Sequence, residues 1–177
     1  MWYLNVSYIL AIAGMVIVLM LTRFWPSNKR ILLLVFNLCF LWAFSKPLFV
    51  FYLFYTLLNY AGYLFLSAVG QGRKFWFVSL IALNVAGVAY VRFVEMDWAQ
   101  APLLYDAVIH IGLIYNVLKV IDAYYFAYYM GREGRVGVLD YFNFILFIPT
   151  FTSGPILKFR DFIADTRRKY EGNAEQC

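Results

Sequence analysis

The apolar residues of this chain form long blocks that are separated by short charged or proline-containing breaks. The block from Trp2 to Thr22 has no charged residue, and the block from Ile31 to Gly72 has only Lys46. A single helix over the second block would be about 63 Å long, about twice the thickness of the hydrocarbon core of a bilayer. That block must therefore fold back once. Pro47 favours a break at residues 45–47, because proline suits the first turn of a new helix.

The blocks predict an all-α membrane protein with about five transmembrane helices. We place these helices near residues 2–22, 31–45, 47–70, 75–91 and 103–130. The last of them would measure about 42 Å, so it must tilt, bend or project from the membrane. A polar turn at residues 131–135 follows it.

The charged residues at the ends of the blocks predict the direction of the chain through the membrane. The connection after the fourth predicted helix balances Arg92 against Glu95 and Asp97, as an external loop does. The two connections before it, after the first and third helices, are basic and therefore cytoplasmic. Their cations are Arg23, Lys29, Arg30, Arg73 and Lys74. We thus expect a multi-pass protein of the cell membrane with an external N-terminus and a cytoplasmic C-terminus.

The composition agrees with a membrane protein and excludes most soluble folds. Of the 177 residues, 64% are hydrophobic and 14% are charged, whereas soluble domains average about 45–50% and about 25%. The net charge of +5 does not indicate a nucleic-acid partner, because the basic residues lie at the edges of the apolar blocks. Cys39 and Cys177 do not form a disulfide framework.

Ionisable residues interrupt the last predicted membrane helix, where charge is costly and usually faces a bundle interior. Asp106 and His110 are four residues apart, which suits an oriented general base. We favour the alternative, a polar pair near the external membrane boundary. Lys119 and Asp122 are three residues apart, and we favour a structural ion pair between them over a substrate contact. A stripe of Tyr115, Lys119 and Asp122 stays a candidate lining for a substrate passage.

The segment from Tyr141 to Pro155 combines an apolar run with two prolines, three hydroxyl side chains and a glycine. The apolar run is too short to cross a membrane as a helix, and each proline disfavours helix at the residue before it. Irregular backbone at membrane depth persists only when it is buried in protein or lines a cavity. We therefore expect a short helix that breaks into a re-entrant stretch, with an ordinary interfacial loop as the alternative. The candidate residues of this stretch are Pro149, Thr150, Thr152, Ser153, Gly154 and Pro155.

After Pro155 the pattern becomes amphipathic, with apolar residues at helical spacing among cations as far as about residue 170. This pattern is typical of a helix that lies on a membrane surface, with its cations toward anionic headgroups. The predicted organisation is therefore a multi-pass membrane domain at 1–155, an interfacial helix at 156–170 and a solvated tail at 171–177.

The segment Phe147–Ile156, followed by Lys158-Phe159-Arg160 and Phe162, resembles a signature of the membrane-bound O-acyltransferases. The version Pro-Thr-Phe-Thr-Ser-Gly-Pro is most similar to the branch that esterifies lipoteichoic acid with D-alanine. Upstream, the residues 111–115 resemble the family's Gly-Ile-Ser-Tyr/Phe element, although Ile114 stands in place of the usual serine.

The acidic residue that family members commonly carry near the end of the same helix has no direct counterpart. Phe126 lies at that position, and Asp122 is four residues earlier. Whether Asp122 takes over the acidic role is left open by the sequence.

The resemblance implies an acyltransferase that moves an acyl group, D-alanyl or acetyl, to a hydroxyl of a cell-envelope polymer such as teichoic acid. The donor would be an acyl (D-alanyl) carrier protein on the cytoplasmic face. Family members are typically more than twice this length and carry their catalytic histidine in the C-terminal half. His110 is the only histidine here and precedes the signature. We therefore expect an N-terminal portion that is inactive alone, and we assign no catalytic residue, metal ligand or cofactor.

Two alternatives to this function remain. One is a non-catalytic membrane subunit that docks a soluble partner on its basic cytoplasmic face. The other is a small transporter built around the broken segment, because discontinuous membrane helices also form substrate sites.

Overall fold

The computed structural model describes residues 29–44, 46–97, 113–147 and 158–167, and in addition positions 13, 14, 16, 17 and 20. Every regular element within this part of the chain is helical, which confirms the all-α prediction for these residues. The elements are α1 (Lys29–Phe44), α2 (Lys46–Ala68), α3 (Arg73–Asp97), α4 (Leu113–Met130), a 3-10 turn (Gly131–Gly134), α5 (Val138–Ile145) and α6 (Phe159–Arg167).

The break predicted near Pro47 is confirmed. The first helix ends at Phe44 and the second begins at Lys46, so Pro47 lies in the first turn of α2, where its missing N–H costs nothing. The polar turn predicted at 131–135 is also present, as the 3-10 turn Gly131–Gly134. Gly131 has a φ of 56°, a left-handed conformation that glycine adopts without strain.

The end predicted for the fourth membrane helix is wrong. We placed it near Val91, and α3 instead continues to Asp97. Arg92 and Glu95 predict the start of a loop, but arginine and glutamate are good helix formers and do not end a helix. Neither glycine nor proline occurs between Gly87 and Pro102, so nothing in that interval opposes helix.

Membrane crossing is supported for fewer helices than the sequence predicts. Within the described ranges, one helix is both long and apolar enough to span a bilayer, at Phe49–Ala68 in α2. A shorter apolar stretch, Arg30–Ala43, lies in α1. The number of about five transmembrane helices is therefore not confirmed. Most of the predicted helix at 2–22, and all of residues 98–112, lie outside the described residues.

Helix α4 is at the centre of the bundle and packs against α2, α3, the 3-10 turn, α5 and α6. It runs in the same direction as α2, because the Tyr52 hydroxyl faces Asn116 and the Tyr124 hydroxyl reaches Asn59. The faces that meet are apolar and small: Val120, Ala123 and Ala127 of α4 are fully buried. Small residues let helices approach closely, which favours this packing in a lipid environment.

This arrangement brings the start of α1, the end of α2, the start of α3 and the end of α4 to one end of the bundle. Arg73 donates to the carbonyl oxygens of Val69 and Tyr128, at 3.0 and 3.3 Å. Tyr63 donates to the Gly134 carbonyl at 2.5 Å. We call this the basic end, because its exposed or partly exposed cations are Arg30, Arg73, Lys74, Arg132 and Arg135.

Helix α6 is helical where the sequence predicts an amphipathic helix, but its apolar face is covered by protein. Phe159, Phe162 and Ile163 are at most 6% exposed. Lys158 and Arg160 are exposed on the other side. The amphipathic pattern is therefore satisfied by packing against the bundle, and the interfacial location of this helix stays a prediction.

Candidate functional site

Two ionisable side chains of α4 contact the backbone on either side of the candidate signature. Lys119 is only 8% exposed, and its ammonium group donates to the carbonyl oxygen of Ile145 at 3.1 Å. Ile145 is the last residue of α5. The same ammonium lies 5.9 Å from the centre of the Phe144 ring. A buried cation needs such partners, because removing it from water is otherwise very costly.

Asp122, one turn along α4, contacts the other side of the signature. Its Oδ2 accepts a hydrogen bond from the backbone N–H of Phe159 at 2.5 Å. Phe159 is the first residue of α6, where backbone N–H groups have no partner within the helix and the helix dipole favours an anion. Asp122 thus acts as an N-terminal cap supplied by a different helix.

Aromatic packing holds Phe159 against the bundle. Its ring lies 4.9 Å from that of Phe144 and 5.3 Å from that of Phe126, both at steep interplanar angles. Tyr63 and Tyr141 complete the enclosure at 5.8 and 6.1 Å. Phe126 and Asp122, the two residues that the family resemblance left in question, therefore contact the same residue, one at its ring and the other at its backbone.

The structure places the remaining sequence candidates as follows. Tyr115 is 37% exposed on α4, whereas Lys119 is buried, so the proposed stripe joins an exposed and a buried position. The short helix predicted before the signature is confirmed as Val138–Ile145. The candidates that lie outside the described residues are Pro149, Thr150, Thr152, Ser153, Gly154 and Pro155, together with Asp106 and His110. The favoured ion pair between Lys119 and Asp122 stays a prediction.

Three uncharged polar residues, one each on α1, α2 and α4, are buried in the described part of the chain. Asn37, Thr56 and Asn116 are fully buried. Asn37 and Thr56 form no side-chain hydrogen bond with any described residue. Buried polar groups of this kind usually bind ordered water or a further segment of protein.

A separate hydrogen-bonded group ties α2, α3 and α4 together. The Tyr55 hydroxyl donates to Asn84 Oδ1 at 3.0 Å, and Asn84 Nδ2 donates to Asn59 Oδ1 at 3.0 Å. The Tyr124 hydroxyl donates to the same Asn59 oxygen at 2.7 Å. Sequence reasoning missed these residues because it followed charges. Two amides within apolar helices were the available signal, since polar groups in membrane helices usually bind one another.

These four residues line one wall of an apolar groove of about 510 Å³ between α2, α3 and α4. The rest of the described lining is mainly aliphatic and aromatic, with Gly62 and Gly87 on facing helices. Among the lining residues that the structure describes there is no Asp, Glu, His, Lys or Arg. The described part of the groove is therefore mainly an apolar packing surface. Elsewhere in the described ranges, no group of three or more His, Cys, Asp or Glu residues is arranged to hold a metal ion.

Comparison with curated proteins identifies a distant relative. A teichoic acid D-alanyltransferase of Lacticaseibacillus rhamnosus is 28% identical to this chain over 146 residues. The alignment covers 76% of this chain and 34% of the relative, so the chain spans about a third of the length of that protein. No family model matches the chain, and no solved structure matches it.

Proposed function

We propose that this chain is the N-terminal part of a membrane-bound O-acyltransferase that transfers an acyl group to a hydroxyl of a cell-envelope polymer. D-alanyl is the acyl group we favour over acetyl, and teichoic acid is the acceptor. The observation that carries the proposal is the 28% identity to a teichoic acid D-alanyltransferase. The resemblance of Phe147–Ile156 to the acyltransferase signature agrees with it.

The chain contributes a scaffold in this proposal, and the catalyst lies elsewhere. The only histidine, His110, precedes the signature, and no histidine occurs from residue 111 to residue 177. Acyl transfer to a hydroxyl needs a general base near the acceptor, for which histidine is the commonest residue. The chain by itself therefore binds and orients without catalysing transfer.

The proposed topology has several membrane crossings, an external N-terminus and a cytoplasmic C-terminus. The basic end supports it, because four helix termini bring Arg30, Arg73 and Lys74 together with Arg132 and Arg135. Membrane proteins place such cations on the cytoplasmic side. The acyl (D-alanyl) carrier protein would then approach this end, and the polymer acceptor would approach from outside.

The test is reconstitution of the purified chain in vesicles with a D-alanyl-loaded carrier protein and teichoic acid. We expect carrier binding that weakens when Arg132 and Arg135 are both changed to Glu, and no transfer above the protein-free rate. Two results would contradict the proposal: transfer that His110→Ala abolishes, or carrier binding equal for the wild-type chain and the charge-reversed variant.

The second candidate is a non-catalytic membrane subunit that docks a soluble partner with an acidic surface. The exposed cations of the basic end favour it, because opposite surface charges speed and orient association. This candidate predicts the same loss of docking in the charge-reversed variant. It differs in predicting that the chain supports no D-alanyl transfer even when joined to a histidine-bearing remainder.

A further inference from the structure

We propose that Lys119 and Asp122 form a clamp that fixes the C-terminal end of α5 and the N-terminal end of α6 on α4. Both are positioning residues, and neither is assigned contact with a substrate. The inference rests on two hydrogen bonds in the structure and holds whether or not the chain belongs to an acyltransferase.

Lys119 and Asp122 bring two distant backbone groups to one turn of α4. Lys119 and Asp122 are three residues apart on α4, so their positions differ by only about 4.5 Å along the helix axis. Lys119 binds the carbonyl of Ile145, and Asp122 binds the N–H of Phe159. The end of α5 and the start of α6 therefore both bind to one turn of a single helix.

The charges of the two side chains suit the helix ends that they contact. The carbonyl groups in the last turn of a helix lack intrahelical partners and attract a cation, whereas the first N–H groups attract an anion. The ammonium group lies at the C-terminal end of α5 and the carboxylate at the N-terminal end of α6. Each charge therefore has the sign that its helix end requires, and exchanging Lys119 with Asp122 would make both contacts unfavourable.

An aromatic ring packs beside each of the two hydrogen bonds. Phe144, next to the Lys119 contact, is 2% exposed, and Phe159, at the Asp122 contact, is fully buried. Their rings meet at 4.9 Å. The two anchors thus support each other directly across the junction of α5 and α6.

Hydrogen exchange with mass spectrometry on the purified full chain tests the clamp. The relevant peptides cover residues 143–147 at the end of α5 and residues 158–163 at the start of α6. We expect Asp122→Leu to speed amide exchange at Phe159 and its neighbours at least tenfold. We expect Lys119→Met to do the same at residues 145–147, since a methionine keeps the side-chain volume but donates no hydrogen bond. In both variants the peptides of α2 and α3 keep the wild-type rate.

Conservative variants separate a clamp from a general role in stability. Lys119→Arg keeps the cation and Asp122→Asn keeps an acceptor oxygen, so both should restore most of the protection. Tyr115→Phe, an exposed position on the same helix, should change nothing. The clamp would be refuted by wild-type exchange at both flanks in the Leu and Met variants, or by exchange that rises equally throughout the chain. If the Leu and Met variants fail to fold, Asp122→Ala and Lys119→Leu take their place, and wild-type exchange at both flanks in these two variants would refute the clamp as well.

Discussion

Asp140 is almost fully buried, and the side chain that faces it, Arg30, is about half exposed. Their closest N–O distance is 3.3 Å, and Asn143 Nδ2 donates to the Arg30 carbonyl at 2.8 Å beside it. The three residues join the start of α1 to α5 across more than a hundred positions of sequence. A buried carboxylate is costly unless it is paired, so this contact fixes where α5 starts.

Removing the cation should therefore cost more than removing an ordinary surface charge. We expect Arg30→Met to lower the free energy of unfolding in detergent by about 1–3 kcal/mol, because the Asp140 carboxylate stays buried with one partner fewer. Asp140→Asn in the same chain should recover part of the loss. Lys74→Met, an exposed basic residue at the same end, should stay within about 0.5 kcal/mol of wild type. Equal losses for Arg30→Met and Lys74→Met would show that the pair contributes nothing.

Sequence reasoning identified Lys119 and Asp122 as important but not their partners. Residues three apart on a helix can meet, so the local pattern suggested that the two bind each other. In the structure each also contacts a backbone group some 26 or 37 positions away, and the pairing of the two side chains stays a prediction. Backbone partners leave no trace in a residue pattern, because every residue has the same N–H and C=O groups. The same reason explains why the contacts of Tyr63 and Tyr60 with residues 134 and 136 were not foreseen.

At the scale of elements, Gly62 sets how closely α2 and α4 pack. A Cβ atom at this position would lie 2.7 Å from the Tyr124 hydroxyl and 3.4 Å from Leu80 Cδ2. The Tyr124 hydroxyl would have to move and would lose its hydrogen bond to Asn59. Gly87 lines the same groove on α3, and a Cβ atom there would meet nothing within 4 Å.

These two glycines give a matched pair of variants. We expect Gly62→Ala to lower the free energy of unfolding by about 1–3 kcal/mol through overpacking and the lost hydrogen bond. Gly87→Ala should leave stability equal or raise it by up to about 1 kcal/mol, because alanine favours helix over glycine. Thermal unfolding of both variants in one detergent measures the difference. If Gly87→Ala were the more damaging change, the packing of α2 on α4 described here would be incorrect.

The limits of sequence prediction at this scale are physical. The start of α2 at Lys46 was predictable because proline suits the first turn of a helix, and the turn at 131–135 was predictable because glycine and charge coincide there. The end of α3 was not predictable, because its charged residues indicate a membrane boundary and not the end of a helix. The burial of the apolar face of α6 depends on which surface covers it, and amphipathic spacing is the same for lipid and for protein.

At the scale of the whole molecule, the basic end predicts a direction of insertion. In a chain with Cys39 and Cys177 changed to Ser, we expect single cysteines at Lys74 and at Arg135 to react with a membrane-impermeant maleimide only after the cells are opened. Both positions are exposed, so folding does not protect them. Labelling of either cysteine in intact cells would place the basic end outside and reverse the proposed topology.

The central claim is that the chain supplies the N-terminal part of an enzyme that esterifies teichoic acid with D-alanine. The most direct measurement is the D-alanine ester content of teichoic acid in a bacterium that lacks its own D-alanyltransferase. That strain would express either this chain alone or this chain joined to the remainder of the L. rhamnosus relative. We predict no esters from the chain alone and restored esters from the joined protein. Esters from the chain alone, or none from a joined protein that is inserted and folded, would contradict the claim.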